Sequence, residues 1–365
     1  MELDTLLAHL QDSGIRLWAE GETLRYSAAK DSLSPELIKQ LKLSKTELLT
    51  HLRASGPLGV RHEVIPRLPR KRELPLSPDQ ESPWFLDQML DGNPCDHLAR
   101  AYHLSGPLDI AALERGINAV IERHEILRTV FRTTNGRAYQ HILEHQNLRI
   151  EEFDLRDLEQ NERENTARKI CTEETLRTFD LGLWPLIRCR ALRLADGKWV
   201  LVLMMHHIIS DGQSFDLMFD ELEQLYEEFT GGAKAQLPAL PIQYADFASW
   251  RRQTVESESI AEQLAYWRER FDDGATVLEL PTDKPRPAVQ SPSGAKRPLT
   301  IPAALCERLR QIGGDERATL FMVLLAAFNA LLYRYSGQAQ IAVGTPVSMR
   351  NRPELNAAIG LVVNT

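Results

Sequence analysis

The chain has 365 residues, enough for two or three domains, and at 43% hydrophobic and 26% charged it reads as soluble and globular. Its 51 acidic and 43 basic residues give a formal net charge of -8, so nothing points to nucleic acid or an anionic membrane as a partner. Residues 1–54 form the first segment. Leu3, Leu6, Leu7 and Leu10 recur at helical spacing, and Gly14 stops that helix. Residues 15–27 alternate apolar and polar about Gly21, the pattern of a β-hairpin. Ser34 and Pro35 open a second helix as N-cap and first-turn proline, and Ser44 to Glu47 spell a capping box for a third through Leu52. This predicts a small helix–hairpin–helix–helix domain of modest stability.

Residues 55–73 read as a solvated linker. Gly56, Pro57, Gly59, Pro66 and Pro69 break regular structure, and Arg67, Arg70, Lys71 and Arg72 add charge. Beyond it strand and helix alternate. A strand is expected over residues 100–105, then a helix capped by Asp109 with Leu113, Ile117 and Val120 on one face. Residues 199–205 are continuously apolar, as in a strand buried on both faces. Phe215, Met218, Leu222, Leu225 and Phe229 give residues 214–230 one apolar helical face, ended by Gly231. A Pro-rich connector follows over 280–298, then helices over 303–312 and 319–336, ended by Gly313 and Gly337, and a strand over 340–344. The pattern predicts layered sheet and helix.

The longest apolar stretch, 320–332, is interrupted by Asn329 and falls short of the ~20 residues that span a bilayer, so it reads as a buried core helix. No signal peptide opens the chain. Cys95, Cys171, Cys189 and Cys306 form no CxxC pair and no metal-ligand spacing with histidine, which suits single thiols in a reducing cytoplasm. The last residues, Val362 to Thr365, lie inside an apolar strand-like run, as expected of a piece cut within a domain.

The strongest local signal is Met205-His206-His207-Ile208-Ile209-Ser210-Asp211-Gly212. Two histidines follow a buried strand, and the loop after a strand end positions side chains well. Imidazole, which ordinarily titrates near pH ~6.5, suits proton handling; core histidines with a turn aspartate are the structural alternative. Adjacent strand residues point to opposite faces, so the pair does not readily share a metal ion. There is no GxSxG elbow, no marked serine nucleophile and no glycine-rich phosphate loop.

HHxxxDG is the signature of the condensation-domain superfamily, which shares the chloramphenicol acetyltransferase fold. Other motifs of that family follow in order. Residues 123–131 are similar to RHExLRTxF and 244–250 to YxDFAxW; 280–287, 343–352 and 359–365 resemble its later segments. Ser77 to Leu86 departs from the family's SxxQxRLWxL, with Ser82 and Pro83 where Arg and Leu are usual, which puts the packing at the domain entrance in question. Residues 1–54 resemble the tubulysin-type docking domain, on residues 15–26 and 33–37.

The resemblance implies a two-lobed α+β or α/β fold: docking domain 1–54, linker 55–73, N-terminal lobe 74–240, and an incomplete C-terminal lobe 241–365. The implied activity is that of a nonribosomal peptide synthetase condensation domain. It joins a donor acyl or peptidyl thioester to an acceptor aminoacyl thioester, each on the phosphopantetheine arm of a carrier protein, with no cofactor or metal bound directly. By motif position His207 meets the amine as proton acceptor or positioner. His206 supports the site, Asp211 holds the loop with Arg350 as its ion-pair partner, and the Gly212 N–H is an oxyanion donor.

The docking hairpin is expected to add an acidic C-terminal peptide of an upstream subunit as a strand, using Arg16, Trp18, Thr23, Arg25, Tyr26 and Lys30. An adenylation domain of the same subunit is expected downstream. An epimerisation domain and a non-catalytic recruitment domain of the same fold are the alternatives. A heterocyclisation domain is rejected because both histidines are kept. The 365-residue chain by itself is expected to catalyse poorly.

Overall fold

Helix α1 (Leu3–Asp12) places Leu6, Leu7 and Leu10 on one face, and all three are buried. They meet Ile15 and Leu17 of the following hairpin, and Leu37, Leu41, Leu48 and Leu52 from the next two helices, in a small core of their own. The hairpin is β1 (Arg16–Glu20) and β2 (Thr23–Ser27), antiparallel with Trp18 opposite Arg25 and Glu20 opposite Thr23. Helices α2 (Pro35–Leu43) and α3 (Lys45–Ser55) complete the arrangement read from the sequence, with Pro35 at the first helical position. The computed structural model describes residues 3–12, 15–20, 23–27, 35–55, 65–70, 73–90, 94–255, 258–271, 277–287, 294–295 and 297–365.

Two compact units divide the chain: residues 1–255 with Val347–Asn364, and Glu256–Pro346 with Thr365. In the first, after the N-terminal segment, come β3 (Leu74–Pro75), α4 (Pro78–Leu90), β4 (His97–Ser105), α5 (Ile110–Arg123), β5 (Thr129–Thr134), β6 (Arg137–Ile142) and β7 (Glu151–Asp154). Then follow α6 (Gln160–Leu176), β8 (Ile187–Ala195), β9 (Lys198–His206), α7 (Gly212–Phe229) and α8 (Tyr244–Val255).

One sheet runs β4-β9-β8-β7, antiparallel except for the β7–β8 pair, and a smaller one runs β3-β6-β5. Strand β9 lies between two partners, and from Trp199 to His206 every residue is buried. That placement explains its unbroken apolar run. Asp109 caps α5 by accepting from Ala112 N at 2.9 Å. Helices α5 and α7 pack closely at Gly116, where a Cβ would come 2.7 Å from Leu222 Cδ1.

The segment expected as a solvated linker is anchored over residues 65–70. Ile65 is in the core, and Arg67 donates to the carbonyls of Pro241 and Leu240. Arg70 pairs with Glu125 and with Asp246, whose side chain is fully buried. Charge read as solvation because the answering carboxylates lie far along the chain. Pro83 sits inside α4, where it lacks the N–H that would bond Asp79, and the helix still continues to Leu90.

The second unit contains α9 (Glu258–Arg270), α10 (Ala303–Asp315) and α11 (Leu320–Ser336). Thr319 caps α11 through Met322 N, and Gly337 ends it in the left-handed region at φ +70°. Three expectations change here. Helix α11 is not a buried core helix: Leu332 alone is buried, while Phe321, Met322, Leu331 and Tyr335 are each more than half exposed. An apolar run gives the tendency to be covered, not the cover.

Helix α10 passes through Gly313 to Asp315. The glycine lets the chain close back, with Ala318 N bonding Gly313 O at 2.7 Å. Residues 340–344 form no strand, since no ladder partner lies beside them among the described residues. Short strands β10 (Val347–Ser348) and β11 (Val363–Asn364) pair within the first unit. Among the described residues no single helix is long and apolar enough to cross a membrane.

Candidate active site

Strand β9 delivers the two histidines, and strand alternation separates them. His206 is its last residue, fully buried, with its backbone N–H donating to Leu186 O at 3.0 Å. His206 Nδ1 accepts from Ile208 N at 3.1 Å, so in the neutral ring the proton sits on Nε2, which has no partner among the described residues. Burial, helped by nearby His97 and His207, lowers its pKa to about 3. The ring stands edge-on to His97 and Phe179, with centroids 5.8 and 6.0 Å away. His206 is therefore a neutral core group.

His207 begins a 3-10 turn and is only partly buried. Its Nδ1 lies 2.7 Å from Ser210 O. A carbonyl only accepts, so Nδ1 carries the hydrogen and the neutral ring keeps a bare lone pair on Nε2.

Asp211 makes no contact of this kind with His207; it is the N-cap of α7. Its Oδ1 accepts from Ser214 N at 2.9 Å and from Ser214 Oγ at 2.8 Å, while Ser214 Oγ accepts from Asp211 N at 3.2 Å. Arg350 closes on the same carboxylate, Nη1 to Oδ2 and Nη2 to Oδ1, and both side chains are almost fully buried. Val362 N also donates to Oδ2, at 3.1 Å. One carboxylate thus fastens the start of α7 to the 347–364 segment.

The fastening has a second half. Gly360 N donates to Ser214 Oγ at 3.1 Å, and Tyr244 Oη donates to Leu361 O at 3.0 Å. Gly360 has φ +151°, and a Cβ there would lie 2.0 Å from Tyr244 Cδ2, so the glycine is demanded both by conformation and by closeness. Gly212 differs: nothing lies within 4 Å of the place its Cβ would take. As the first residue of α7 its N–H has no intrahelical acceptor, and the residue is exposed.

Two residues near the site were not singled out by the sequence reading. Gln80 Nε2 donates to Ile208 O at 2.9 Å, while its Oε1 accepts from Ser77 N at 3.0 Å and Ser77 Oγ bonds Tyr244 Oη at 3.0 Å. The altered entrance motif therefore keeps its Ser and Gln, and these latch α4 to the histidine turn. Asp96 lies one step beyond the His97–His206 pairing, beside the start of the histidine turn. Burial raises its pKa, and the neighbouring His207 opposes the rise. The Ser-x-x-Gln spacing was the available signal for Gln80; Asp96 offered none.

The RHExLRTxF stretch is structural. Arg123 Nε and His124 Nε2 both reach Glu221 of α7 at 2.9 Å. No group of three or more His, Cys, Asp or Glu gathers as for a metal ion among the described residues. In the hairpin, Thr23, Arg25 and Tyr26 are exposed on β2, and Arg16 and Trp18 occupy β1 register positions opposite Ser27 and Arg25. Lys30 lies outside the described residues.

Two family models match the chain: a condensation domain over residues 70–365 and a TubC N-terminal docking domain over residues 3–54. Phosphinothricin tripeptide synthetase PhsC of Streptomyces viridochromogenes is 41% identical over 304 residues, covering 82% of this chain and 28% of that protein. Malpinin synthetase of Mortierella alpina is 38% identical over 302 residues, covering 83% and 4%. The chain thus spans less than a third of the length of these curated relatives.

Among solved structures, the X-domain from teicoplanin biosynthesis superposes with a TM-score of 0.73 at 27% identity, covering 82% of this chain and 66% of that one. The EpoB cyclization-docking bidomain from Sorangium cellulosum gives 0.70 at 26% identity, covering 98% and 70%. With its histidine turn, its fastened Asp211 and these matches, the chain belongs to the condensation-domain family of nonribosomal peptide synthetases, with a TubC-type docking domain at residues 3–54.

Proposed function

We propose that the His207 site forms an amide bond between a donor acyl thioester and an acceptor aminoacyl thioester, each presented on the phosphopantetheine arm of a carrier protein. The observation that carries this reading is the Nδ1–H bond from His207 to Ser210 O, which leaves Nε2 as a proton acceptor. An α-amino group has a pKa near ~8, so a neutral fraction exists at pH 7. Its nitrogen attacks the thioester carbonyl carbon, the C–N bond forms, and the amine proton passes to His207 Nε2. The oxyanion that develops is within the chemistry of the Gly212 N–H at the start of α7. Collapse breaks the C–S bond, and the imidazolium returns its proton to the departing thiolate.

Asp211, Arg350 and Gln80 act on this reaction by holding the turn and do not touch the reacting atoms. His206, neutral and buried, fixes the backbone at Ile208. The lobe division at residues 240 and 241 and a downstream adenylation domain belong to the same proposal. The hairpin is the proposed receptor for an acidic C-terminal tail of an upstream subunit, added as a strand beside β2. That strand pairs only with β1 among the described residues and exposes Thr23, Arg25 and Tyr26.

Likeness to the teicoplanin X-domain, a structure of which is a complex with OxyB, favours a second reading as a binding domain. Incubation with donor-loaded and acceptor-loaded carrier proteins separates the two. Transfer of the donor acyl group to the acceptor carrier is the expected result. Two unchanged thioesters, with carrier binding retained, would favour the binding domain.

A further inference from the structure

A cavity of about 190 Å³ opens where β7, β8 and the loop before β7 meet the end of α6, and its lining is dominated by guanidinium groups. Arg149, Arg177, Arg188 and Arg190 all contribute. Two carboxylates answer them. Glu174, almost fully buried, is held between Arg188 and Arg190, and Glu151 bonds Arg190 at 2.9 Å. That leaves more positive than negative charge around one small concave space. Arg188 registers the crowding: burial pulls its pKa below the ordinary value, Glu174 opposes this, and Arg177 and Arg190 add to the lowering.

The two outer arginines are the informative ones. Arg149 has no hydrogen bond or ion pair among the described residues and is exposed. Arg177 reaches Glu151 and Glu174 only at 3.8 and 4.0 Å, beyond hydrogen-bond distance. Both guanidinium forks thus line a cavity in which Arg188 and Arg190 are already matched by Glu174 and Glu151. The space equals about six water volumes at roughly 30 Å³ each, enough for a small oxyanion with its water but not for a peptide.

We propose that this cavity is a binding site for a phosphate dianion, as the free ion or as a phosphomonoester. A phosphate of this kind carries about -1.5 to -2 at pH 7, which matches the net charge left by four arginines and two glutamates, and planar guanidinium forks bind it in bidentate fashion. The site is separate from the His207 chemistry and does not rest on that reading. Its nearest link to it is Arg188, whose guanidinium lies 3.7 Å over the Phe179 ring, which in turn meets His206.

Calorimetric titration of the whole chain at fixed ionic strength tests the site, with inorganic phosphate and glycerol phosphate as probes and chloride as control. Saturable binding of either probe, weakened about tenfold or more in Arg149→Gln/Arg177→Gln, is expected, since both charge-assisted contacts are lost together, and tenfold is about 1.4 kcal/mol. Binding of inorganic phosphate alone identifies the free ion, and preference for glycerol phosphate identifies a monoester. Absence of saturable binding of both probes, or unchanged affinity in the double variant, overturns the proposal. Should the double variant fold poorly, the exposed single variant Arg149→Gln reads the same quantity.

Discussion

A single carbonyl, that of Ser210, sets the tautomer of His207, whereas burial sets the charge of His206. Neighbours in sequence thus have different electrostatic fates because the strand turns one inward. The consequence for stability has a definite sign. In the unfolded chain a histidine titrates near ~6.5, while folded His206 stays neutral down to about pH 3. Below pH ~6.5 the unfolded state binds a proton that the folded state refuses, so stability falls as pH falls. The slope from this group approaches about 1.4 kcal/mol per pH unit until about pH 3. Urea unfolding at pH ~7 and pH ~5 should show the unsubstituted chain losing about 2 kcal/mol more than His206→Gln. Parallel losses would mean that His206 is charged in the fold.

At the scale of elements, the α7 N-terminus and the 347–364 segment are fastened through Asp211, Ser214 and Arg350. Removing Asp211 leaves the Arg350 guanidinium buried without its anion, a loss that typically costs about 3–5 kcal/mol. Asp211→Ala should therefore lower the melting temperature clearly. An unchanged melting temperature with lost activity would place Asp211 in the reaction itself. The HHxxxDG turn was legible because its chemistry is local to the chain, and Arg350 followed from motif position. Gln80 was not, since its partner Ile208 O lies 128 residues away and the Ser-x-x-Gln spacing names no partner. Arg70 failed to read as anchored for the same reason: Asp246 and Glu125 are remote in sequence. Helix α11 shows the converse limit, for its two ends were marked by Thr319 and Gly337 while its cover was not marked at all.

At the scale of the molecule, two separate apolar cores follow the two family matches, one for residues 3–54 and one for the histidine sheet. The small core belongs to the docking-domain match, and the proposal that β2 receives an acidic strand is tested there. A fluorescent acidic tail peptide titrated with the whole chain should bind with micromolar affinity, about -8 kcal/mol, and weaken as salt shortens the Debye length. Arg25→Glu should weaken binding, and a basic residue in the tail should restore part of it. Affinity indifferent to both salt and Arg25 would contradict strand addition guided by charge.

The chemistry proposed for the whole molecule turns on His207, and single-turnover amide formation between loaded carrier proteins is its most direct test. His207→Ala removes the proton acceptor without opening a buried ion pair, so melting temperature and carrier binding should hold while amide formation nearly ceases. A fall of less than about tenfold, equivalent to roughly 1.4 kcal/mol in the barrier, would contradict the assignment of His207 to the chemistry.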